Sequence, residues 1–378
     1  METDLYFDCV SPNFDKTYEK NSLGFAIAKN FDNSPKTICN KYKIVIFGVT
    51  DSRKSYSNYE NGPDFIREQL YKLKNNFKLP ILDLGNLKQG KKPSDTDAAI
   101  ADITSFCLQN NIIVIQLGGG FELTYSTYLA YEKLKKTVSM VCIDSLLNIK
   151  SEKEALNPEN FAGKIVMKKS NYLFNYCNIG FQSHYVSEEE KELINKLYFD
   201  AFRLGEVREN ISAIEPEIRD ADMVSINLNS VRHADSPGTS LISPNGFFGE
   251  EVCQLAKYAG LSDKNSSFGI YEFCPQKDNS GQTAALAAQI IWYYLEGINQ
   301  RKGDYPFCSE KEYKSFHVSY DHGKSDIVFY NSLLSNRWWF EVNAKERKLL
   351  ISCSYEDYLR ACDNQLPDKF WKICQKIM

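Results

Sequence analysis

Short apolar runs alternate with helix-patterned stretches from about residue 41 to residue 297, and this alternation restricts the chain to one class of architecture. Lys43–Gly48 (KIVIFG), Pro80–Leu84 (PILDL), Ile112–Leu117 (IIVIQL) and Val138–Ile143 (VSMVCI) read as strands. Tyr176–Phe181, Met223–Leu228 and Ser267–Phe273 continue the series less regularly. Between them lie a helix from Pro63 to about Leu73, one capped by Ser94 and running to Gln109, one ending at Leu134, and further helices over Glu188–Leu197, Phe248–Ala259 and Gly281–Gly297. Buried strands alternating with helices imply a three-layer α/β/α fold with a mostly parallel central sheet covered on both faces. Such sheets bind ligands beyond the carboxyl ends of their strands, so the residues just after each strand carry the functional reading.

The flanks differ. Residues 1–40 are mixed and aromatic without a clear period, and read as a segment packed on the α/β domain of residues 41–299. The pattern changes after Asn299. Asp326–Tyr330, Trp338–Val342 and Lys348–Ser352 read as strands, Ser354-x-x-Asp357 as a capping box, and Pro367 as the start of a final helix carrying Phe370, Trp371 and Ile373. Residues 300–378 are therefore expected to form a small C-terminal α+β appendage. Its aromatic residues, with Arg337, suit either a core of its own or an interface.

Composition excludes several functions. A net charge of −4 gives no electrostatic footprint for nucleic acid. No apolar run is long enough to span a membrane, and no secretory signal is visible. The 11 cysteines lack a CxxC pair, which suits buried thiols in a reducing, cytoplasmic setting rather than a disulfide framework. The only histidines are His184, His233, His317 and His322.

Four strand ends carry distinctive punctuation: Gly118-Gly119-Gly120-Phe121-Glu122; Asp144-Ser145-Leu146-Leu147-Asn148; Ser225-Ile226-Asn227-Leu228-Asn229 with Pro237-Gly238-Thr239; and Glu272-Phe273-Cys274-Pro275 with Gly281-Gln282-Thr283-Ala284. In this order they resemble the ureohydrolase (arginase, agmatinase and formimidoylglutamase) superfamily. Its motifs run GGGHE or GGDHS, DAHxD, SxDxDxxD, and a glutamate in E-x-x-P before a TAxxAA helix. The GGG-x-E form is closest to formimidoylglutamases, and the degenerate pattern is similar to formimidoylglutamase-like proteins of Bacteroidota. Phe47-Gly48, Asn61-Gly62-Pro63, Ile66-Arg67 and Asp83-Leu84-Gly85 resemble the family's opening units. The resemblance implies an arginase-like fold and, in functional members, two manganese ions that activate water to hydrolyse a C–N bond of a linear amidine.

The resemblance also marks where the chain departs. The family's two histidine and four aspartate ligands correspond here to Phe121, Asp144, Leu146, Asn148, Asn227 and Asn229. Asp144 alone matches, so no metal is expected. Glu272 corresponds to the substrate-orienting glutamate and is expected to be vestigial. Glu122, Arg232, His233 and Glu272 are the candidate polar residues of any remaining pocket, and Arg232 is expected to pair with Asp144 or Glu272, because a lone buried carboxylate needs a cation or a raised pKa. Asn227 and Asn229 are expected to bond neighbouring backbone, His184 to be a surface or satisfied histidine, and Cys274 to pack.

Three functions stay open. One is a pseudoenzyme: a scaffold or interaction protein meeting an unidentified protein partner through residues 300–378. A second is a manganese-dependent formimidoylglutamase-type hydrolase. The third is a sensor of a small guanidino or amino-acid ligand. Homo-oligomerisation is compatible with each.

Overall fold

A computed structural model describes residues 3–377 except 12–13, 15–17, 30–34, 56, 151–153, 305–311, 321–324 and 345–346. His322 lies outside the described residues.

The alternation in the sequence becomes a ten-stranded sheet. Its strands are β1 (Phe7–Asp8), β2 (Ala28–Lys29), β3 (Ile44–Gly48), β4 (Ile81–Leu87), β5 (Ile113–Leu117), β6 (Val138–Ile143), β7 (Leu173–Phe181), β8 (Asp200–Arg203), β9 (Met223–Asn227) and β10 (Ser267–Tyr271). The order is β1-β4-β3-β5-β10-β9-β6-β7-β8, with β2 also on β4. All pairings are parallel except β1 with β4. The central strands are apolar throughout because both faces are covered. Ile44, Ile46, Ile115, Leu117, Val224 and Ile226 pack with the helices Gly62–Leu70, Gly249–Leu261 and Gln282–Asn299 on one side. The intervening Val45, Phe47, Val114, Met140 and Cys142 pack with Pro93–Gln109 and Leu123–Lys133 on the other. The period of two along each strand thus divides one apolar run between two cores.

The edges depart from the sequence expectation. β4 runs past Leu84 to Leu87, where β1 pairs with it. Gly85, at φ +86°, allows the approach, since a Cβ there would stand 2.1 Å from the Asp8 carbonyl. β8, too short to show a pattern, was not expected. Ser94 is not a cap: the helix begins at Pro93, and Asp95 Oδ2 accepts the Lys92 N–H at 2.9 Å.

A buried ion pair ties the helix Gly62–Leu70 to β4. Arg67 and Asp83 are both fully buried, with Nε and Nη2 donating to the two carboxylate oxygens at 2.9 Å each. Tyr71 Oη and the Gly85 N–H also donate to Asp83, at 2.8 and 2.9 Å.

The C-terminal part forms an antiparallel sheet of β11 (Tyr313–Tyr320), β12 (Ser325–Ser332), β13 (Trp338–Ala344) and β14 (Arg347–Cys353) in that order, with helices Tyr355–Cys362 and Asp368–Ile377 packed on it. β11 was missed because its YKSFHVSY sequence carries few apolar residues. The capping box forms: Ser354 Oγ accepts the Asp357 N–H at 3.1 Å, and Asp357 Oδ2 accepts the Ser354 N–H at 2.8 Å. Trp338, Trp339 and Phe340 are buried, so the aromatic cluster is mainly a core, with Trp371 exposed beside Tyr198.

Charged groups fasten this sheet to the larger one. Lys369 meets Asp220 at 2.9 Å and Glu217 at 3.1 Å, and Lys372 meets Asp200 at 2.7 Å. Arg219 donates to the Trp338 and Cys353 carbonyls at 3.2 and 3.0 Å, with its guanidinium 4.5 Å from the Trp339 ring centre.

Replacing Arg67 by Ala strands Asp83 without its cation. Denaturant unfolding of the R67A variant is expected to show a loss of about 3–5 kcal/mol, against near neutrality for an exposed control such as K72A.

Candidate active site at the strand ends

β5, β10, β9 and β6 are consecutive in the sheet, so the four punctuated segments emerge side by side at its carboxyl edge. After β5 the chain turns through Gly118 and Gly119, at φ +76° and +81°, where a side chain would be strained. The turn presents the Phe121 N–H to Glu272 Oε1 at 2.9 Å, while the Glu272 N–H returns to the Gly119 carbonyl at 3.0 Å.

Glu272 is the hub of one polar cluster. It sits at φ +68°, unusual for a side-chain-bearing residue, and is nearly fully buried. Tyr59 Oη donates to Oε2 at 2.5 Å, and Asn229 Nδ2 and Ser240 Oγ approach the same oxygen at 3.3 Å. Ser55 Oγ reaches Oε1 at 3.4 Å. Burial raises the Glu272 pKa, while hydrogen bonds from Tyr59, the Phe121 N–H, Ser240 and Asn229 pull it down. Asn229 serves both strand end and loop: its Oδ1 accepts the Leu241 N–H at 2.9 Å.

Asp144 anchors a second cluster. Its Oδ1 accepts the Ser145 N–H at 2.7 Å, and its Oδ2 accepts from Asn148 Nδ2 at 2.7 Å. Asn148 Nδ2 also reaches the Pro158 carbonyl at 3.0 Å, and its Oδ1 accepts from Tyr176 Oη at 3.3 Å. Burial pushes Asp144 up to about 7, against hydrogen bonds from Asn148, Asn227 and the Ser145 N–H. Asn227 Oδ1 accepts the Asn229 N–H at 2.8 Å, the local backbone bond expected of it.

The remaining positions hold no donor. Phe121 is fully buried, edge-on to Phe161 and Tyr271 with ring centres 5.2 and 5.6 Å away. Leu146 is half-buried, and its carbonyl accepts from Asn178 Nδ2 at 2.7 Å. Glu122 is buried, with Oε2 lacking a hydrogen-bond partner; burial raises its pKa well above the ordinary range and Glu272 adds to the rise. Among the described residues, no three His, Cys, Asp or Glu side chains gather in a metal-holding group. Two divalent ions and an activated water require several anionic or imidazole ligands. A set of one carboxylate, three amides and two hydrocarbon side chains does not fit them.

The expected pairing of Arg232 with Asp144 or Glu272 is incorrect. The turn at Leu228–Ser230 and the bridge from Val231 to Phe247 carry the chain away, and Arg232 pairs with Asp235 at 2.9 Å with its guanidinium 4.1 Å from the Phe248 ring centre. Amide donors satisfy Asp144 without desolvating a guanidinium. His233 belongs to the same loop, its N–H on the Ser243 carbonyl at 2.8 Å and its Nδ1 buried without a partner. His184 is exposed against Tyr185, and Cys274 is buried with a raised pKa. Tyr59, Ser55 and Ser240 escaped the sequence reading. Tyr59 and Ser55 follow β3, whose end held only the Asn-Gly-Pro signal, and Ser240 directly follows the Pro-Gly-Thr signal after β9.

The sequence pattern of the arginase family matches residues 42–296. A formimidoylglutamase of Staphylococcus aureus (strain MRSA252) is 27% identical over 246 residues, covering 63% of this chain and 79% of the relative. The crystal structure of formimidoylglutamase from Bacillus subtilis subsp. subtilis str. 168 superposes with a TM-score of 0.67 at 18% identity, over 77% of this chain and 96% of that one. Trypanosoma cruzi formiminoglutamase with Mn2+2 superposes with a TM-score of 0.63 at 15% identity, over 72% of this chain and all of that one. At these identities the structural likeness concerns the fold.

Asp144 generates a pH signature. The unfolded carboxyl loses its proton near 3.8 and the folded one near 7. Its contribution is therefore full below about pH 4 and is lost as pH rises towards 7, on the order of 4 kcal/mol in all. Unfolding curves of D144N are expected to gain on the wild type between pH 4 and pH 8, whatever fixed cost the new amide carries. A difference constant with pH would refute the assignment.

Proposed function

This chain belongs to the arginase family, and we propose that it is a member without metal-dependent hydrolysis, acting as a scaffold or interaction protein. The observation that carries the reading is the donor set at the four adjacent strand ends. Phe121 and Leu146 stand where the family motifs carry imidazoles, and Asn148, Asn227 and Asn229 where they carry carboxylates. Asp144, the matching ligand, has both oxygens engaged by Ser145 and Asn148. Clustered carboxylates tolerate ionisation only with cations between them, and amides of similar shape remove that requirement. Residues 300–378, which have no counterpart in the matched family region, supply the surface for a partner.

A formimidoylglutamase-type hydrolase is the second reading. The similarity to formimidoylglutamases over 246 residues supports it, as does Glu272, buried at the end of β10 with its carboxyl facing Tyr59, Asn229 and Ser240. The third reading, a small-ligand sensor, is less favoured, because those same groups already satisfy one another.

Metal analysis of the purified chain after dialysis against excess Mn(II), alongside an assay of formimidoylglutamate hydrolysis, separates the first two. The proposal expects no stoichiometric manganese and no turnover. Two manganese ions per chain with turnover would overturn it. A rebuilt variant, F121H/L146H/N148D/N227D/N229D, is expected to bind Mn(II) and to melt at lower temperature without it, since four carboxylates then repel. Failure of that variant to gain any manganese would show that these positions do not form the family's ligand set.

A further inference from the structure

The last helix, Asp368–Ile377, turns three lysines towards the larger sheet. Lys369, Lys372 and Lys376 are spaced three and four residues apart and so share one face. Two of them are matched with acids: Lys369 with Asp220 and Glu217, and Lys372 with Asp200. Lys376 is not. Among the described residues, its ammonium meets no carboxylate. It donates to Asn175 Oδ1 and lies 5.2 and 5.9 Å from the ring centres of Phe199 and Phe174. Phe174 and Asn175 also line a cavity of about 240 Å³ in the seam between the two sheets, so open space adjoins the amine.

A half-buried ammonium without a counter-ion gives up its proton readily. Burial lowers the Lys376 pKa to about 8, and the Lys372 ammonium on the same helix adds to the fall. Asp200 of β8, Glu217 of the helix Glu215–Arg219 and Cys177 of β7 oppose it. At pH 7.5 an amine titrating near 8 is about one quarter unprotonated, against about one part in a thousand for an ordinary lysine. The unprotonated amine is the nucleophile. Neutralising Lys376 also costs the seam no ion pair. An amide N–H at Nζ can still donate to Asn175 Oδ1, and a small acyl group has the Phe174 ring and the cavity to lie against. Neutralising Lys369 or Lys372 would instead deprive a buried acid of its cation.

We propose that Lys376 is a modification site, its amine taking a small acyl group from an acyl phosphate. The Nζ lone pair forms a C–N bond to the acyl carbon, and the C–O bond to phosphate breaks. Phosphate leaves with that electron pair and takes up the proton released from nitrogen. The product is a neutral amide held by Asn175, while the ion pairs of Lys369 and Lys372 keep the helix on the larger sheet. Nothing at the four strand ends enters this reaction, so the manganese measurement and the test below fail independently.

The test incubates the full chain with acetyl phosphate at pH 7.5 and reads the initial rate at each lysine by peptide mass spectrometry. Lys376 is expected to react about tenfold faster than the exposed Lys169 and Lys196, its lead in free amine being reduced by restricted access. Its rate should level off above pH 8, while theirs keeps rising towards pH 10. In denaturing urea the preference should vanish, because the folded seam creates it. The K376Q variant, which removes the charge without stranding an acid, is expected to keep the wild-type unfolding midpoint. K372Q, which leaves Asp200 to the Asn175 amide, should unfold at a lower one. The proposal is overturned if Lys376 reacts no faster than Lys169 and Lys196, if its lead survives in urea, or if K376Q destabilises the chain as much as K372Q.

Discussion

Parallel strands all end on the same side of their sheet, and in this chain four neighbouring strands, β5, β10, β9 and β6, bring three buried carboxyl groups, those of Glu122, Asp144 and Glu272, to that side. Among the described residues, neither Asp144 nor Glu272 is bonded to a cation. A buried carboxylate must be neutralised, paired or bonded by strong donors. Here the donors are amides, hydroxyls and peptide N–H groups, and much of the local structure is arranged to aim them. The left-handed backbone at Gly118, Gly119 and Glu272 and the turn after β9 that faces Asn229 to the Glu272 carboxyl all serve this end. The apolar Phe121 fills space between Phe161 and Tyr271 in the same layer.

The same requirement takes a different form elsewhere in the molecule. Asp83 is fully buried too, but Arg67 supplies the charge and Tyr71 a further bond. At the seam, acids of the larger sheet meet lysines of one late helix. The chain therefore uses cation pairing where elements must be held together, and neutral donors where four strand ends crowd.

The central strands were legible in the sequence because burial on both faces leaves uninterrupted apolar runs. The order of the four punctuated segments was legible because glycine, proline and side-chain amides at strand ends have few alternatives. The edges were not legible. β1 and β2 have two residues each and form only because β4 offers a partner, and β11 buries too little apolar surface to stand out. Arg232 was misread for a related reason: proximity in sequence suggested an ion pair, but a bridge to Phe247 redirects the loop. Tyr59 reaches Glu272 across 213 residues, a relation that no local pattern carries.

The helix Asp368–Ile377 turns Lys369 and Lys372 inward onto Asp200, Glu217 and Asp220, residues made some 150 positions earlier. Asp200 and Asp220 both act on Glu217 to raise its pKa, so without the helix these acids would face one another with fewer counter-ions. The helix supplies two ammonium groups to them, and Asp220 also holds β14 through the Ser352 N–H. Charge compensation here thus spans the chain: acids on the larger sheet depend on lysines of a helix some 150 residues further along.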